Sequence, residues 1–213
     1  MYSNLASQIA LTLTDRTATL VQVEELCKLA IANNSHSVCV PPLFVKKAKE
    51  LLAGSMVKVS TVIGFPYGYN AIEAKLAEIV LAMVGGAEEL DMVVNITALT
   101  NGDWQYLARE LSSILPVVQK QQIGFTVAIE SNLILEEDLV KCCDLYGAAG
   151  VQHCSLSTGI ETSLPSMENV ALVRKHLADS VGVKVTGSFK DKVEMKLYGA
   201  AGAACLGVHH PVK

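Results

Sequence analysis

Residues 57–95 read VKVSTVIGFPYGYNAIEAKLAEIVLAMVGGAEELDMVVN, and this stretch decides the fold. Val57–Ile63 reads as an apolar strand that runs into a turn-rich loop, Gly64-Phe65-Pro66-Tyr67-Gly68. Ala71–Val84 reads as a helix, Gly85-Gly86-Ala87 as the turn that stops it, and Glu89–Asn95 as the next strand. That is one strand–helix–strand unit. Upstream, Ile9–Leu13 is a weak first strand, followed by a helix with Thr19 as N-cap and an apolar face of Leu20, Val23, Leu26, Cys27 and Ala30. Ser37–Val40 is a second strand stopped by Pro41-Pro42, with a helix over Leu43–Ala53. Downstream, helices over Trp104–Gln119, Glu136–Tyr146, Met167–Ala178 and Lys192–Ala200 alternate with strands at Phe125–Glu130, Val151–Ser155, Val181–Thr186 and Ala204–Val208.

Eight strands in strict alternation with helices predict a parallel sheet closed as a (β/α)8 TIM barrel; an open doubly wound sheet is the alternative. No linker or low-complexity tract interrupts the chain, so residues 1–213 are expected to form one domain. Gly147-Ala148-Ala149-Gly150 and Gly199-Ala200-Ala201-Gly202 repeat the helix-ending turn before strands six and eight, on the face opposite the variable loops. The chain ends five residues after the eighth strand, which predicts no full final helix. Apolar surface around Leu206 would then be covered by the N-terminal segment or a second subunit, and a homodimer is expected.

Composition narrows the classes. The chain is 51% hydrophobic, holds 15 glycines and only 5% aromatics, and carries a net charge of −4. The charge and the lack of any basic run give no footprint for nucleic acid. No apolar run approaches the roughly 20 residues that cross a bilayer, so no membrane role is expected. The N-terminus lacks the pattern of a secretion signal. Six cysteines without metal-type spacing read as small buried hydrophobes in a reducing compartment, and a cytoplasmic protein is expected.

In such a barrel, chemistry belongs to the C-terminal ends of the strands. Those ends hold Thr12, Cys39, Phe65, Asp91, Asn95, Glu130, Ser155, Thr158, Lys184, Thr186, Gly207 and His209. Strand alternation turns Gly182, Lys184 and Thr186 inward together, and likewise Asp91, Val93 and Asn95. Lys184 sits in Val183-Lys184-Val185-Thr186-Gly187-Ser188-Phe189, an apolar strand leading to a turn. An unpaired ammonium there is costly, so a partner or a task is expected. Asp91 is the natural partner; the two form either a satisfied ion pair or a working pair. Glu130 reads as structural, and His153 as a hydrogen-bonded core residue one layer below Ser155. His209 and His210 read as a solvated tail or an anion contact. No spacing selects a metal.

Several of these phrases together resemble the deoxyribose-phosphate aldolase family over nearly the whole chain. Ser37–Pro42 is similar to that family's second strand, and Val62–Gly68 resembles its Val-Ile-Gly-Phe-Pro-x-Gly signature. Glu89–Ile96 resembles the segment with its proton-relay aspartate, which carries over to Asp91. Val183-Lys184 and Gly187 resemble the strand with its second active-site lysine, which carries over to Lys184.

Four departures accompany the resemblance. The family's Schiff-base lysine opens Lys-Thr-Ser-Thr-Gly, whereas this chain reads Ser155-Leu156-Ser157-Thr158-Gly159. An Asp-x-Thr of the family becomes Ala10-Leu11-Thr12, its eighth-strand Gly-Thr-Ser becomes Gly207-Val208-His209, and its Gly-Gly becomes Gly187-Ser188. The resemblance implies a carbon–carbon lyase splitting 2-deoxyribose 5-phosphate, or a related sugar phosphate or aldehyde, without metal or cofactor. It implies catalytic positions at Asp91, Lys184 and Ser155, and substrate or phosphate contacts at Thr158, Gly159, Gly187, Ser188, Gly207 and His209. A hydroxyl at 155 cannot form an iminium, so the activity is expected to be altered or reduced. A non-covalent lyase or isomerase and a non-catalytic ligand-binding or assembly barrel remain as alternatives.

Overall fold

In the computed structural model, residues 5–160 and 163–209 are described. His210, named above as part of the C-terminal tail, lies outside them, as does the segment where a final helix was not expected. The strands are β1 Ile9–Thr12, β2 Ser37–Val40, β3 Lys58–Ile63, β4 Glu89–Val93, β5 Gly124–Ala128, β6 His153–Ser155, β7 Gly182–Gly187 and β8 Ala203–His209. The helices are α1 Leu20–Asn33, α2 Val45–Leu51, α3 Ile72–Gly85, α4 Ile96–Thr100, α5 Trp104–Lys120, α6 Glu136–Ala149, α7 Met167–His176 and α8 Lys192–Ala201. The strands pair in sequence order, all parallel, and β8 pairs with β1 from Ile9↔Leu206 to Thr12↔His209. That last ladder closes the (β/α)8 barrel and removes the open-sheet alternative.

Local chemistry explains the element ends. Thr19 and Gln22 form a reciprocal capping box at the start of α1, which satisfies two amides the helix leaves unpaired. Asp103, Ser166 and Asp191 cap α5, α7 and α8, each side chain accepting an amide of the first turn. Gly86, Gly150 and Gly202 end α3, α6 and α8 at φ values of 99°, 70° and 116°, a region open to glycine and costly for a branched side chain.

Three local expectations are corrected. Leu20 is 43% exposed, because it opens the first turn of α1, ahead of the buried stripe Val23, Leu26, Cys27 and Ala30. The helix expected over Leu43–Ala53 is a 3-10 turn, Pro42–Phe44, followed by the shorter α2. Asn95 is not an inward strand residue: β4 ends at Val93, and the Asn95 side chain accepts the Ala98 amide to cap α4.

The two faces of the barrel wall differ sharply. Outward residues such as Val38, Val40, Val59, Ile63, Leu90, Met92, Val127, Val183 and Val185 join the helices in one continuous apolar layer. The alternate, inward positions carry Ser37, Cys39, Ser60, Asp91, Thr126, His153, Ser155, Lys184 and Thr186. Barrel interiors are commonly filled by bulky Val, Ile and Leu. This one is small, polar and titratable. At its lower end His36 and Lys58 both bond the Glu89 carboxylate, at 2.7 and 2.9 Å. Burial pushes Glu89 up, but these two partners outweigh it and hold the carboxyl at about 2.

Candidate active site

Asp91 on β4 and Lys184 on β7 meet inside the upper barrel, with Nζ 2.5 Å from Oδ2. Lys184 is 4% exposed. Burial is the largest influence and disfavours its ammonium, yet the Asp91 carboxylate together with the Cys205 and Cys39 sulfurs outweighs it, and its pKa is raised above the ordinary lysine value. Cys39 on β2 approaches the same carboxylate, its sulfur 4.0 Å from Oδ2. Burial and then the Asp91 charge push this thiol up to about 12, so it stays protonated and a poor nucleophile at neutral pH. Ser155 on β6 is the register partner of Lys184. Its hydroxyl donates to the Ser157 carbonyl at 2.8 Å and lies 3.4 Å from Thr186 Oγ1.

The loop after β6 is fastened from two sides. Glu130 accepts from both the amide and the hydroxyl of Thr158. Ser157 Oγ donates to the Thr186 carbonyl at 2.6 Å and accepts the Thr186 amide at 3.0 Å. Glu130 therefore orders the Ser155–Gly159 segment. Gly159 has φ +83°, and a Cβ there would stand 2.5 Å from His209 Nε2. The His209 ring thus packs directly over the Gly159 backbone at the end of β8 and does not extend as a solvated tail. Its Nε2 is buried with no hydrogen-bond partner among the described residues, and burial lowers its pKa. Gly207 sits under the Thr186 side chain, Leu164 packs over Gly187, and Ser188 is exposed at the rim. His153, one layer down, has its pKa lowered by burial and then by the Lys184 charge.

Two spaces adjoin the pair. A void of about 10 Å³, room for a single water, is bounded by Thr12, Cys39, Asp91, Ser155, Thr158 and Thr186. A cleft of about 1060 Å³ opens beside it between the β1–α1 loop, Pro41–Phe44, Phe65–Tyr67, Gly159, Ser188 and His209. Among the described residues no group of three or more His, Cys, Asp or Glu side chains could hold a metal ion. No helix there is long and apolar enough to cross a membrane.

One feature next to the site was not anticipated. Lys75 of α3 and Glu110 of α5, both fully buried, pair at 2.6 Å directly behind the end of β4. The sequence carries a signal for them: each falls on the apolar stripe of its own helix, Ile72–Lys75–Ile79–Ala82 and Leu107–Glu110–Leu111–Ile114.

The chain and its fold have close counterparts. The model of the DeoC/LacD family aldolases matches residues 7–131. The deoxyribose-phosphate aldolase of Brevibacillus brevis is 39% identical over 207 residues, 96% of this chain and 91% of that protein. The enzyme of the same name from Caldanaerobacter subterraneus subsp. tengcongensis is 35% identical over 211 residues, 99% of this chain and 91% of the other. The tetrameric deoxyribose phosphate aldolase of Aeropyrum pernix superposes with a TM-score of 0.88 at 28% identity, over 96% of this chain and 86% of that one. With a matching family model over more than half its length and such relatives over nearly all of it, this chain belongs to the DeoC/LacD family of aldolases.

Proposed function

We propose that this protein is a carbon–carbon lyase of the deoxyribose-phosphate aldolase type. It acts on 2-deoxyribose 5-phosphate or a related small sugar phosphate at a reduced rate, with Lys184 as its amine. The observation that carries this reading is the Asp91–Lys184 pair at the mouth of a closed barrel, beside a serine in the register position next to the lysine. In the reaction the amine adds to the C1 aldehyde and loses water to give an iminium. The C2–C3 bond then breaks, its electron pair flowing into the iminium as an enamine while the C3 hydroxyl proton passes to a base. Protonation of the enamine at C2 and hydrolysis release acetaldehyde and the free amine; glyceraldehyde 3-phosphate is the other product. Asp91 is placed to relay protons, and Ser155 to hydrogen-bond the substrate. Gly159, Ser188 and His209 line the cleft that takes the rest of the substrate, and Thr158, Gly187 and Gly207 shape it from behind. The rate is low because Asp91 keeps Lys184 in its ammonium form, which cannot attack a carbonyl.

That same protonated state favours a second reading, in which Asp91 and Lys184 act as acid–base and electrostatic groups without a covalent intermediate. Borohydride reduction in the presence of 2-deoxyribose 5-phosphate, followed by intact mass and peptide mapping, separates the two. An adduct confined to the Lys184 peptide, lost with turnover in Lys184→Met, supports the lyase reading. Turnover that survives borohydride with no adduct supports the non-covalent one. Neither turnover nor adduct overturns both.

As for its setting, we take the protein to be a one-domain cytoplasmic homodimer. All six cysteines are free thiols, which suits a reducing compartment. Leu81 and Val84 on α3 are 70% and 82% exposed, apolar surface of the kind a subunit contact covers.

A further inference from the structure

A fully buried ion pair contributes little net stability, and well-packed apolar residues often replace it at no loss. The Lys75–Glu110 pair therefore calls for another explanation, and its contacts supply one. Besides Glu110, Lys75 Nζ donates to the Val93 carbonyl at 2.7 Å. Val93 closes β4 two residues after Asp91 and is the last position of its ladder with β5. The rest of that strand end is held as firmly. The Val94 amide donates to the Ala128 carbonyl at 3.1 Å, and the Ile96 amide to the Tyr67 carbonyl at 3.3 Å. The backbone of Gly68 lies so close to the Val94 carbonyl that no side chain fits between them. From α3, one turn beyond Lys75, Glu78 accepts the Gly64 amide at 2.7 Å, and Gly64 rests on the Lys75 stem, 2.8 Å from Cε to an added Cβ. One helix thus grips both the β3 loop and the end of β4.

We infer that Lys75 and Glu110 are positioning residues for Asp91, fixing the end of β4 at the height where its carboxylate meets Lys184. Lys75 supplies the bond to Val93, and Glu110 supplies the counter-charge that lets an ammonium sit there. This role goes beyond the lyase reading, since it concerns the geometry of the Asp91–Lys184 pair whatever chemistry that pair performs.

The test reads Lys184 directly. In protein labelled with 13Cε-lysine, its resonance is assigned by its loss in Lys184→Met and followed from neutral pH to about pH 11. The groups facing Lys184 are Asp91, Cys39, Cys205 and His153, none of them altered. In the native protein the ammonium form is expected to persist. In Lys75→Met/Glu110→Leu, the thermal midpoint is expected to hold while Lys184 loses its proton within that pH range, at least a tenfold weaker hold on it. If that variant does not fold, Lys75→Met/Glu110→Gln, which preserves the shape of Glu110, gives the same reading. A Lys184 titration unchanged in the variant lacking Lys75 overturns the inference, because a merely structural pair would move the thermal midpoint and leave Lys184 alone.

Discussion

Oδ2 of Asp91 and Nζ of Lys184 lie 2.5 Å apart, although their strands, β4 and β7, are separated by two others around the barrel. Lys184 is buried and Asp91 half-buried, each at the expense of its hydration, and each regains part of that through the other. The pair is therefore self-satisfied in the resting state. An amine so held is a reluctant nucleophile, and the neighbouring position that could have supplied a second amine is Ser155.

Ser155→Lys is accordingly expected to raise retro-aldol turnover of 2-deoxyribose 5-phosphate by roughly two orders of magnitude or more, since a missing nucleophile commonly costs at least that. The Lys184 ammonium nearby would lower the pKa of the new amine and favour its reactive form. Acetaldehyde release measured in a coupled assay checks this. A native rate already in the ordinary range of about 1–1000 per second would show that Ser155 is no handicap.

The floor of the barrel predicts an acid dependence. Glu89 titrates at about 2 in the folded chain instead of 4.5, so its ionised form favours folding. Its contribution, up to about 3 kcal/mol, is present above the ordinary carboxylate range and lost as pH falls toward 2. Urea unfolding of the native protein and Glu89→Gln should differ by that order at pH 7 and converge at low pH. A gap that stays constant on acidification would rule out the His36–Glu89–Lys58 cluster as its source.

Gly159 and His209 should be coupled. Gly159→Ala is expected to cost about 1–3 kcal/mol, from a backbone at φ +83° and from a methyl forced against the imidazole. His209→Ala should recover the steric part and leave the backbone part. Additive effects in the double-mutant cycle would mean that the ring can simply move aside.

Much of this fold was legible because the chain is locally consistent. The strand–helix alternation, the Thr19 cap and the Gly86, Gly150 and Gly202 stops act within a few residues, and strand parity was enough to turn Asp91 and Lys184 inward. Parity misled at Asn95 because it was carried past the true end of β4, where an asparagine is better used as a cap. At five residues, α4 is too short to show a period. Two contacts depend on how separate elements are brought together: the Lys75–Glu110 pair, joining two helices, and the His209 ring over Gly159, joining a strand end to a loop. The helical stripes mark Lys75 and Glu110 as buried but not as partners, and no local pattern places His209 over Gly159.

Light scattering at micromolar concentration is expected to find a species larger than the monomer, and Val84→Glu on α3, at an 82% exposed position, should shift it toward the monomer. A strictly monomeric native protein removes the dimer.

The contrast between the two faces of the barrel wall has a consequence for how such a protein changes over time. Its cohesion resides between strands and helices, in the layer of Val38, Val59, Leu90, Val127 and Val183. The inward residues contribute little apolar burial, so exchanging one small polar side chain there for another costs the fold correspondingly little. The interior can drift while the shell is conserved by its own packing. A lineage can therefore rewrite the contents of this barrel and still inherit the vessel intact.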